Sequence, residues 1–290
     1  MNIVYLVFGQ DLSNHKQAVF SILTTLLYKN DSDKIIVVTD VPTYYKCIDH
    51  EDVIIQAITS EQIKIWRGKH NYVFRVKIKA LQFVAQHYSK NPILYLDADT
   101  FFYKNLRTIN KSLLAGNNVM HINEGGLSSA KSKTKQNIYK KIKGNTYYDV
   151  SINSKTCMWN AGVVGIANKN KLATLNNVLA VCDALCDENI PMRLVEQLSF
   201  SIVLSKENKL VATNNYIGHY WGNKSEWNCF ITDFFIKNYF SEKPITEVLL
   251  ELKKIDLTQV PVWVKTSSTG YRLKKIIDNL FKRSKKEYAK

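Results

Sequence analysis

The stretch Pro92–Tyr103, PILYLDADTFFY, is an apolar run that ends in two aspartates one residue apart. The apolar part predicts a buried strand with Asp97 and Asp99 at its C-terminal edge. Side chains at i and i+2 on an extended chain point the same way, so these two would present hard carboxylate oxygens to one side. Open α/β sheets bind ligands beyond the carboxyl ends of their strands. The pattern therefore predicts a site for Mg²⁺ or Mn²⁺ against the phosphates of a nucleotide.

The aspartate pair has two other interpretations. Asp97 and Asp99 could simply end the strand and cap the following turn, where Asp is common. An aspartyl phosphatase loop also runs from an apolar strand into D-x-D-x-T or D-x-D-x-V. Here Thr100 comes one residue too early for that loop, and the motif lies a third of the way into the chain rather than near its start.

Segments upstream of this strand predict an alternating α/β plan. Short runs rich in β-branched residues predict strands at Asn2–Phe8, Lys34–Thr39 and Val53–Ile58, and helical periodicity predicts helices at His15–Tyr28 and Tyr72–Tyr88. Strands alternating with helices in this order imply a mostly parallel sheet with right-handed crossovers.

Composition sets broad bounds. The chain has 290 residues, 46% apolar and 22% charged, which suffices for one sizeable core plus an appendage. No apolar run approaches the ~20 residues of a membrane-spanning helix. The first residues, MNIVYLVFGQD, lack the basic region and cleavage site of a secretory leader. The five cysteines are odd in number and scattered, which favours idle thiols in a reducing cytosol. We expect a cytoplasmic protein.

The net charge of +15 is concentrated in two segments. Lys131–Lys143 contains six lysines and no acid, and is either a solvated face or a binding segment. Tyr271–Lys290 carries eight basic and two acidic residues. Its apolar residues recur at helical spacing, which predicts a basic amphipathic helix that binds an anionic membrane surface. We therefore expect a cytoplasmic protein that associates peripherally with the inner face of the cell membrane.

Three later segments carry candidate site residues. In Cys157–Ala167, the turn Asn160-Ala161-Gly162 lets the backbone approach a ligand closely. Met192–Leu204 is a predicted helix in which Glu196 and Gln197 come early, either in a cleft or on the surface. Asn215–Trp227 is rich in chemically useful residues, among them His219 and Lys224. A lone histidine is more often structural, but the carboxylate pair still lacks a third ligand.

Taken together, these residues resemble the nucleotide-sugar glycosyltransferases of the GT-A fold, most closely the retaining family-eight group of bacterial lipopolysaccharide glycosyltransferases and glycogenin. The resemblance covers roughly residues 3 to 227. It rests on the following motifs in their shared order: an upstream basic helix (Arg75, Lys79), D-x-D (Asp97, Asp99), N-A-G (Asn160, Ala161, Gly162), an acid-Gln pair (Glu196, Gln197) and H-x-x-G followed by Lys (His219, Gly222, Lys224).

The resemblance implies a GT-A type α/β fold, with a catalytic domain over residues 1–230 and a C-terminal helical region over 231–290. It implies that Asp97, Asp99 and His219 hold Mn²⁺ or Mg²⁺ on the diphosphate of a UDP-sugar. The implied donor-binding residues are those at the ends of the first two strands and in the motifs: Phe8, Gly9, Asp40, Arg75, Lys79, Asp97, Asn160, Ala161, Gly162, Gly222 and Lys224. Two positions depart from the family pattern. The lysine follows the glycine after one residue instead of two and no proline follows it, and Glu196 replaces the usual Asp.

The implied reaction breaks a sugar–diphosphate bond, which leaves negative charge on the diphosphate and positive character on the sugar. The metal, Lys224 and Arg75 would neutralise the first. With retention, Gln197 or Glu196 would stabilise the sugar on one face. With inversion, a carboxylate base would be needed near the acceptor, and Asp149 and Glu124 are candidates for it. The sequence leaves both outcomes open.

We expect a metal-dependent hexosyltransferase that uses a UDP-hexose and acts on a glycan or lipid-linked saccharide acceptor. A sugar-nucleotide nucleotidyltransferase is an alternative, but it would be expected to have a Gly-rich phosphate loop after the first strand, and Phe8–Asp11 contains one glycine. A basic nucleic-acid-binding protein is a second alternative, favoured by the net charge and sixteen tyrosines. Because the basic residues concentrate in two segments and no recognition module is visible, we expect no nucleic acid partner.

Overall fold

The computed structural model describes residues 1–167, 169–207, 210–239 and 242–264, together with Leu273, Ile276 and Ile277. Within these residues the strands are, in chain order, β1 (Asn2–Leu6), β2 (Lys34–Thr39), β3 (Val53–Ala57), β4 (Ile93–Leu96), β5 (Thr100–Phe102), β6 (Val119–Met120), β7 (Asn123–Gly126), β8 (Thr146–Tyr147), β9 (Val150–Ser151), β10 (Cys157–Trp159), β11 (Val163–Ile166), β12 (Val211–Ala212) and β13 (Ile217–His219). The helices are α1 (Leu12–Tyr28), α2 (Ser60–Arg67), α3 (Arg75–His87), α4 (Arg107–Leu114), α5 (Lys133–Ile142), α6 (Lys171–Asp187), α7 (Met192–Glu207), α8 (Lys224–Tyr239) and α9 (Ile245–Lys253).

The central sheet has the strand order β12-β6-β11-β4-β1-β2-β3 in the part of the chain that the structure describes. β1 pairs in parallel with both β2 and β4, and β2 with β3. β11 runs antiparallel to its neighbours β4 and β6. The prediction of an α/β fold with a mostly parallel sheet is confirmed.

Local sequence explains why these segments form regular structure. The first four residues of β1 and the last five of β2 are buried, as apolar β-branched strands covered on both faces should be. The carboxylate of Asp11 accepts a hydrogen bond from the amide of Ser13 at the start of α1. Gly68 ends α2 with a φ of 65°, a conformation that glycine adopts at low cost.

Helices cover both faces of the sheet and create two apolar cores. On one face, Val4 of β1 packs with residues of α3, α6 and α7. On the other, the alternate residues Ile3 and Tyr5 pack with α1 and α4. This alternation follows from the two-residue period of a strand.

A third apolar cluster joins α8 and α9 to the body of the protein. Phe20 of α1 and Phe101 of β5 pack with Trp227 and Phe234 of α8 and with Leu252 of α9. The expected domain boundary between residues 230 and 231 lies inside α8.

The predicted membrane-binding helix at residues 271–290 lies outside the described residues, apart from Leu273, Ile276 and Ile277, which are helical and exposed. Among the described residues, no helix combines the length and apolar character needed to cross a bilayer.

The strand order reverses between β1 and β4, because the chain passes from β1 outward to β3 and then returns to the other side of β1. In open α/β sheets a ligand crevice forms beyond the carboxyl ends of the strands at such a point. Asp97 follows the last residue of β4, so the sheet topology places it there.

Candidate functional site

A cleft of about 1130 Å³ opens at this point of the sheet. Its floor includes Phe8 after β1 and Asp97 and Asp99 after β4. Its walls include Asn160, Ala161 and Gly162 before β11, Glu196 and Gln197 from α7, and His219 and Lys224 from the β13–α8 segment. Residues far apart in the sequence therefore converge on one cavity.

Asp97, Asp99 and His219 offer three ligand atoms that all lie within 4.8 Å of one another. Two strand pairings bring them together. Asp97 donates its backbone N–H to the carbonyl of Gly162 at the end of β4, and β13 pairs with β5 so that His219 lies opposite Thr100. Both Asp99 and His219 are buried, and Nε2 of His219 is 3.3 Å from Oδ1 of Asp99.

Asn160 orients the imidazole of His219. The Oδ1 atom of Asn160 accepts a hydrogen bond from the amide of Gly162 and lies 3.1 Å from Nδ1 of His219. Because that oxygen can only accept, Nδ1 of His219 carries a proton, and Nε2 is the atom available to a metal. Gly162 provides the space, since a β carbon there would stand 2.2 Å from Cε1 of His219.

Lys77 is buried beneath the carboxylates. Its Nζ lies 3.3 Å from Oδ1 of Asp97 and 2.9 Å from Oε1 of Glu196, and it donates to the carbonyl of Ala161 at 2.6 Å. Burial alone would lower the pKa of Lys77, but Asp97 and Glu196 outweigh it and raise the pKa. Burial raises the pKa of Glu196, although Lys77 opposes the shift. Lys77 thus remains a cation that neutralises part of the acidic floor.

Asp99 lies between two basic side chains, Lys224 and His219. Nζ of Lys224 lies 2.9 Å from Oδ2 of Asp99, while His219 approaches Oδ1. Burial would raise the pKa of Asp99, but His219 and then Lys224 outweigh it and hold the pKa well below its ordinary value. Asp99 is therefore an ionised candidate ligand at neutral pH.

Glu124 is the acceptor for three side chains on the opposite wall of the cleft. Its carboxylate lies 2.5 Å from Nζ of Lys135, and it accepts from Nδ2 of Asn160 and Nε2 of Gln197, each at 3.1 Å. Burial would raise the pKa of Glu124, but Lys135 and these amides lower it. Gln197, one of the two predicted catalytic residues, is thereby fixed in the cleft.

His121 is a cleft residue that the sequence interpretation missed. Its ring meets that of His219 edge to face at 5.4 Å, and its Nε2 donates to the carbonyl of Ile217 at 3.1 Å. Nδ1 has no hydrogen-bond partner among the described residues. Burial, and next the electrostatic influence of the neighbouring His219, lower the pKa of His121 to about 4, so the His121 ring is neutral at pH 7.

Arg75 and Lys79 do not line the cleft, contrary to the expectation that they contact phosphate. Nε and Nη2 of Arg75 donate to the carboxylate of Asp183 on α6 at 2.7 and 2.9 Å, and Nη1 donates to the carbonyl of Trp66. Lys79 follows Arg75 by four residues on α3, and burial, followed by the nearby charge of Arg75, lowers the pKa of Lys79. The physical reason is the helical period: residues 75 and 79 share a face, and Lys77 lies on the opposite one.

Four other predicted residues are not among those that line the cleft: Gly9, Asp40, Gly222 and Asp149. Gly9 donates its N–H to Oδ1 of Asp40 at 3.0 Å, and neither is among the described residues that line the cavity. Gly222 is covered by Trp263, which would lie 2.2 Å from a β carbon at that position. Asp149 is on the surface in an ion pair with Lys206. Of the two proposed bases, only Glu124 reaches the cleft.

The sequence did contain a signal for Lys77. Lys77, Leu81 and Val84 stand at i, i+4 and i+7, and all three are buried on the same face of α3. A lysine inside an apolar stripe needs a buried anionic partner.

No protein-family model matches this chain, and no curated protein gives a significant match to it.

Proposed function

We propose that the protein is a metal-dependent glycosyltransferase of the GT-A fold that moves a hexose from a UDP-sugar to a glycan or lipid-linked acceptor. The observation that carries the proposal is the convergence of Asp97, Asp99 and His219, within 4.8 Å, at the topological switch point of the sheet. In α/β sheets this is where nucleotides bind.

The donor set fits Mn²⁺ or Mg²⁺. Two carboxylates and an imidazole whose Nε2 is freed by Asn160 are ligands that Mn²⁺ accepts, and the carboxylates alone suit Mg²⁺. When bound, the metal would supply positive charge to a diphosphate leaving group. With three protein ligand atoms, coordination positions remain for phosphate oxygens.

The cations of the cleft complement a nucleoside diphosphate. Lys224 is half exposed and lies next to the metal ligand Asp99, so its ammonium is within side-chain reach of phosphates that share the site. Lys77 stays on Asp97 and Glu196, where it fixes the carboxylates rather than meeting the donor. Phe8, after the first strand, supplies an apolar surface for the base.

Retention is favoured by the state of the carboxylates. Asp97, Asp99, Glu124 and Glu196 line the cleft, and each contacts a cationic side chain. In an inverting reaction, a carboxylate must act as the general base and take the proton from the acceptor hydroxyl. Each of these four carboxylates is instead engaged with a cation. In a retaining reaction the acceptor hydroxyl attacks the anomeric carbon on the face the leaving group departs from, the bond to the diphosphate oxygen breaks, and that oxygen takes the proton. Gln197, fixed by Glu124, would place its carboxamide oxygen against the sugar.

A membrane location is part of the same proposal. The basic residues at 271–290 and on α5 would attract anionic lipid, which suits a lipid-linked acceptor at the cytoplasmic face.

The test is the release of UDP from a panel of UDP-hexoses with Mn²⁺, scored with and without a chelator. We expect slow release from at least one donor, loss of release on chelation, and loss in Asp99→Asn. Asp149→Asn is the matched control, because Asp149 is an exposed aspartate outside the cleft. Release that persists in Asp99→Asn, or no release from any donor, would overturn the proposal.

A further inference from the structure

Two tryptophans at the mouth of the cleft expose more than half of their surface. Trp221 is 56% exposed and Trp263 is 55% exposed, and both line the cavity that contains the metal ligands. Trp66 and Trp227 are buried in the cores. Tyr220 stacks on Trp227 at 4.4 Å, whereas no such stacking covers Trp221 or Trp263 among the residues that the structure describes. Two large apolar ring faces are therefore open to a ligand.

The position of Trp263 is built into the fold. The carbonyl of Pro261 accepts hydrogen bonds from Nδ2 of Asn223 at 2.7 Å and from Nε1 of Trp227 at 3.1 Å. Both donors are buried. Gly222 forms a parallel bridge with Trp263, and a β carbon at residue 222 would collide with that indole. The chain at 261–264 is thus fixed across the cleft. Trp263 lies over Gly222, which is the residue that follows Trp221.

These rings lie close to the metal ligands along the chain. Trp221 is two residues after His219, and Gly222, beneath Trp263, is three residues after it. The exposed side chains of Asn14 and Lys224 line the same cavity. An aromatic face with hydrogen-bonding groups beside it suits a sugar ring, because the negative face of an indole attracts the C–H groups along one side of a pyranose.

The cleft has room for a second substrate. Pockets for one drug-sized ligand span about 300–1,000 Å³, and this cavity exceeds that range at about 1130 Å³. A donor anchored at Asp97, Asp99 and His219 would leave the mouth of the cleft to the acceptor.

We propose that Trp221 and Trp263 form a platform that binds a hexopyranose ring of the acceptor by stacking. This inference rests on the proposed transferase function and assigns the substrate class at the mouth of the same cleft. The rival occupant is a lipid bilayer, since exposed tryptophans also sit at membrane interfaces. The saccharide is favoured because both rings line a cavity that is also lined by the exposed polar side chains of Asn14 and Lys224.

The direct test is ¹⁹F NMR of protein labelled with 5-fluorotryptophan. The chain has five tryptophans, so single Trp→Phe variants assign each signal. The probes are methyl glucoside, methyl galactoside, lactose and maltose, added with UDP and diamagnetic Mg²⁺ in place of Mn²⁺. We expect the signals of Trp221 and Trp263 to shift while those of Trp66 and Trp227 stay. No shift with any of these sugars would overturn the inference. Shifts produced only by phosphatidylglycerol vesicles would overturn it in favour of a membrane-docking rim.

Kinetics give the second readout. The acceptor is whichever of these probe sugars shifts the ¹⁹F signals. Trp263→Ala should raise the ratio of the acceptor KM to the donor KM by about tenfold, and Trp263→Phe should bring this ratio most of the way back to its wild-type value. Gly222→Ala should act like Trp263→Ala by displacing the indole. Ile65→Ala, which changes an exposed apolar residue outside the cleft, is the control.

The outcomes separate the two proposals. If wild-type protein releases UDP but the KM ratio is unchanged in Trp263→Ala, the platform is wrong and the transferase stands. If wild-type protein releases no UDP while sugars still shift both signals, the transferase and the acceptor role fail together, and only saccharide binding remains.

Discussion

Gly162 lies directly against the imidazole of His219, with a hypothetical β carbon at residue 162 only 2.2 Å from Cε1 of the ring. The N-A-G turn suggested a close approach of backbone to ligand. In the structure the close approach is to a side chain that could itself bind the metal. The glycine thus acts on the candidate metal site through His219.

Gly162→Ala should therefore weaken Mn²⁺ binding. The added methyl group pushes the imidazole away from Asp99, and loss of an orienting contact of this kind typically costs about 10- to 100-fold in metal affinity. Calorimetric titration of Mn²⁺ measures it. Gly126→Ala is the control, because the nearest atom to its β carbon would be the flexible side-chain oxygen of Ser129 at 3.1 Å, with the carbonyl of Ser154 at an ordinary 3.7 Å. Equal Mn²⁺ affinity in the two variants would contradict the role of Gly162.

Lys77→Met should destabilise the fold and stop UDP release. It leaves the buried Glu196 without its cation, and breaking one side of a buried ion pair typically costs about 3–5 kcal/mol. Lys79→Met, two residues along the same helix, should change the free energy of unfolding by less than about 0.5 kcal/mol.

Urea unfolding of both variants gives the comparison, and the double variant Lys77→Met/Glu196→Gln should recover part of the loss, because the uncompensated carboxylate is gone. Similar unfolding free energies for the Lys77 and Lys79 variants would show that Lys77 does not hold the floor of the cleft.

Lys77 and its neighbours on α3 show which structural features could be predicted from the sequence alone. Apolar runs and helical periodicity are local, so they predicted β1, β2, β4 and the α/β plan. Asp97 and Asp99 were also within reach, since two residues at i and i+2 share one side of an extended chain. Arg75 and Lys79, which the resemblance implied as donor-binding residues, do not line the cleft, whereas Lys77 does, because a residue two positions along a helix points about 200° away.

The remaining features depend on pairing between distant segments. The antiparallel insertion of β11 and the pairing of β13 with β5 join residues separated by more than sixty positions. No local pattern specifies such registers. Resemblance to a family suggested His219 as a third ligand, but the roles of Asn160, His121 and the segment at 261–264 required the tertiary structure.

Lys224→Met should change metal and nucleotide binding in opposite directions. Lys224 competes with a cation for Asp99, so its removal should tighten Mn²⁺ binding in the absence of nucleotide by about two- to fivefold. If Lys224 contacts the diphosphate, the same variant should weaken UDP binding with Mn²⁺ by about tenfold. Lys206→Met removes a comparably exposed lysine that pairs with Asp149 outside the cleft. A Lys224 variant that binds UDP as tightly as the Lys206 variant would remove Lys224 from the phosphate site.

Deleting residues 271–290 should weaken sedimentation with anionic vesicles, because each basic residue near a charged surface contributes about 1 kcal/mol. Neutralising Lys140, Lys141 and Lys143, which are exposed on and just after α5, tests whether net charge alone is responsible. Vesicle binding that survives the deletion but not the neutralisation would move the membrane contact to α5.

Acidification should destabilise the protein through His121. Its folded pKa is lowered from 6.5 to about 4 by burial and by His219, so the unfolded chain takes up a proton before the folded one does. Stability is therefore lost as the pH falls from 6.5 towards about 4, and the loss stops below that. Between about pH 7 and about pH 5 the contribution is about 2 kcal/mol.

His121→Gln keeps a donor for the carbonyl of Ile217 but cannot titrate. Its urea-unfolding free energy, measured with a chelator present, should therefore fall less over this pH range than that of the wild type. His87→Gln, on the exposed surface of α3, should keep the wild-type slope. Parallel pH profiles for wild type and His121→Gln would show that His121 is not a buried neutral ring.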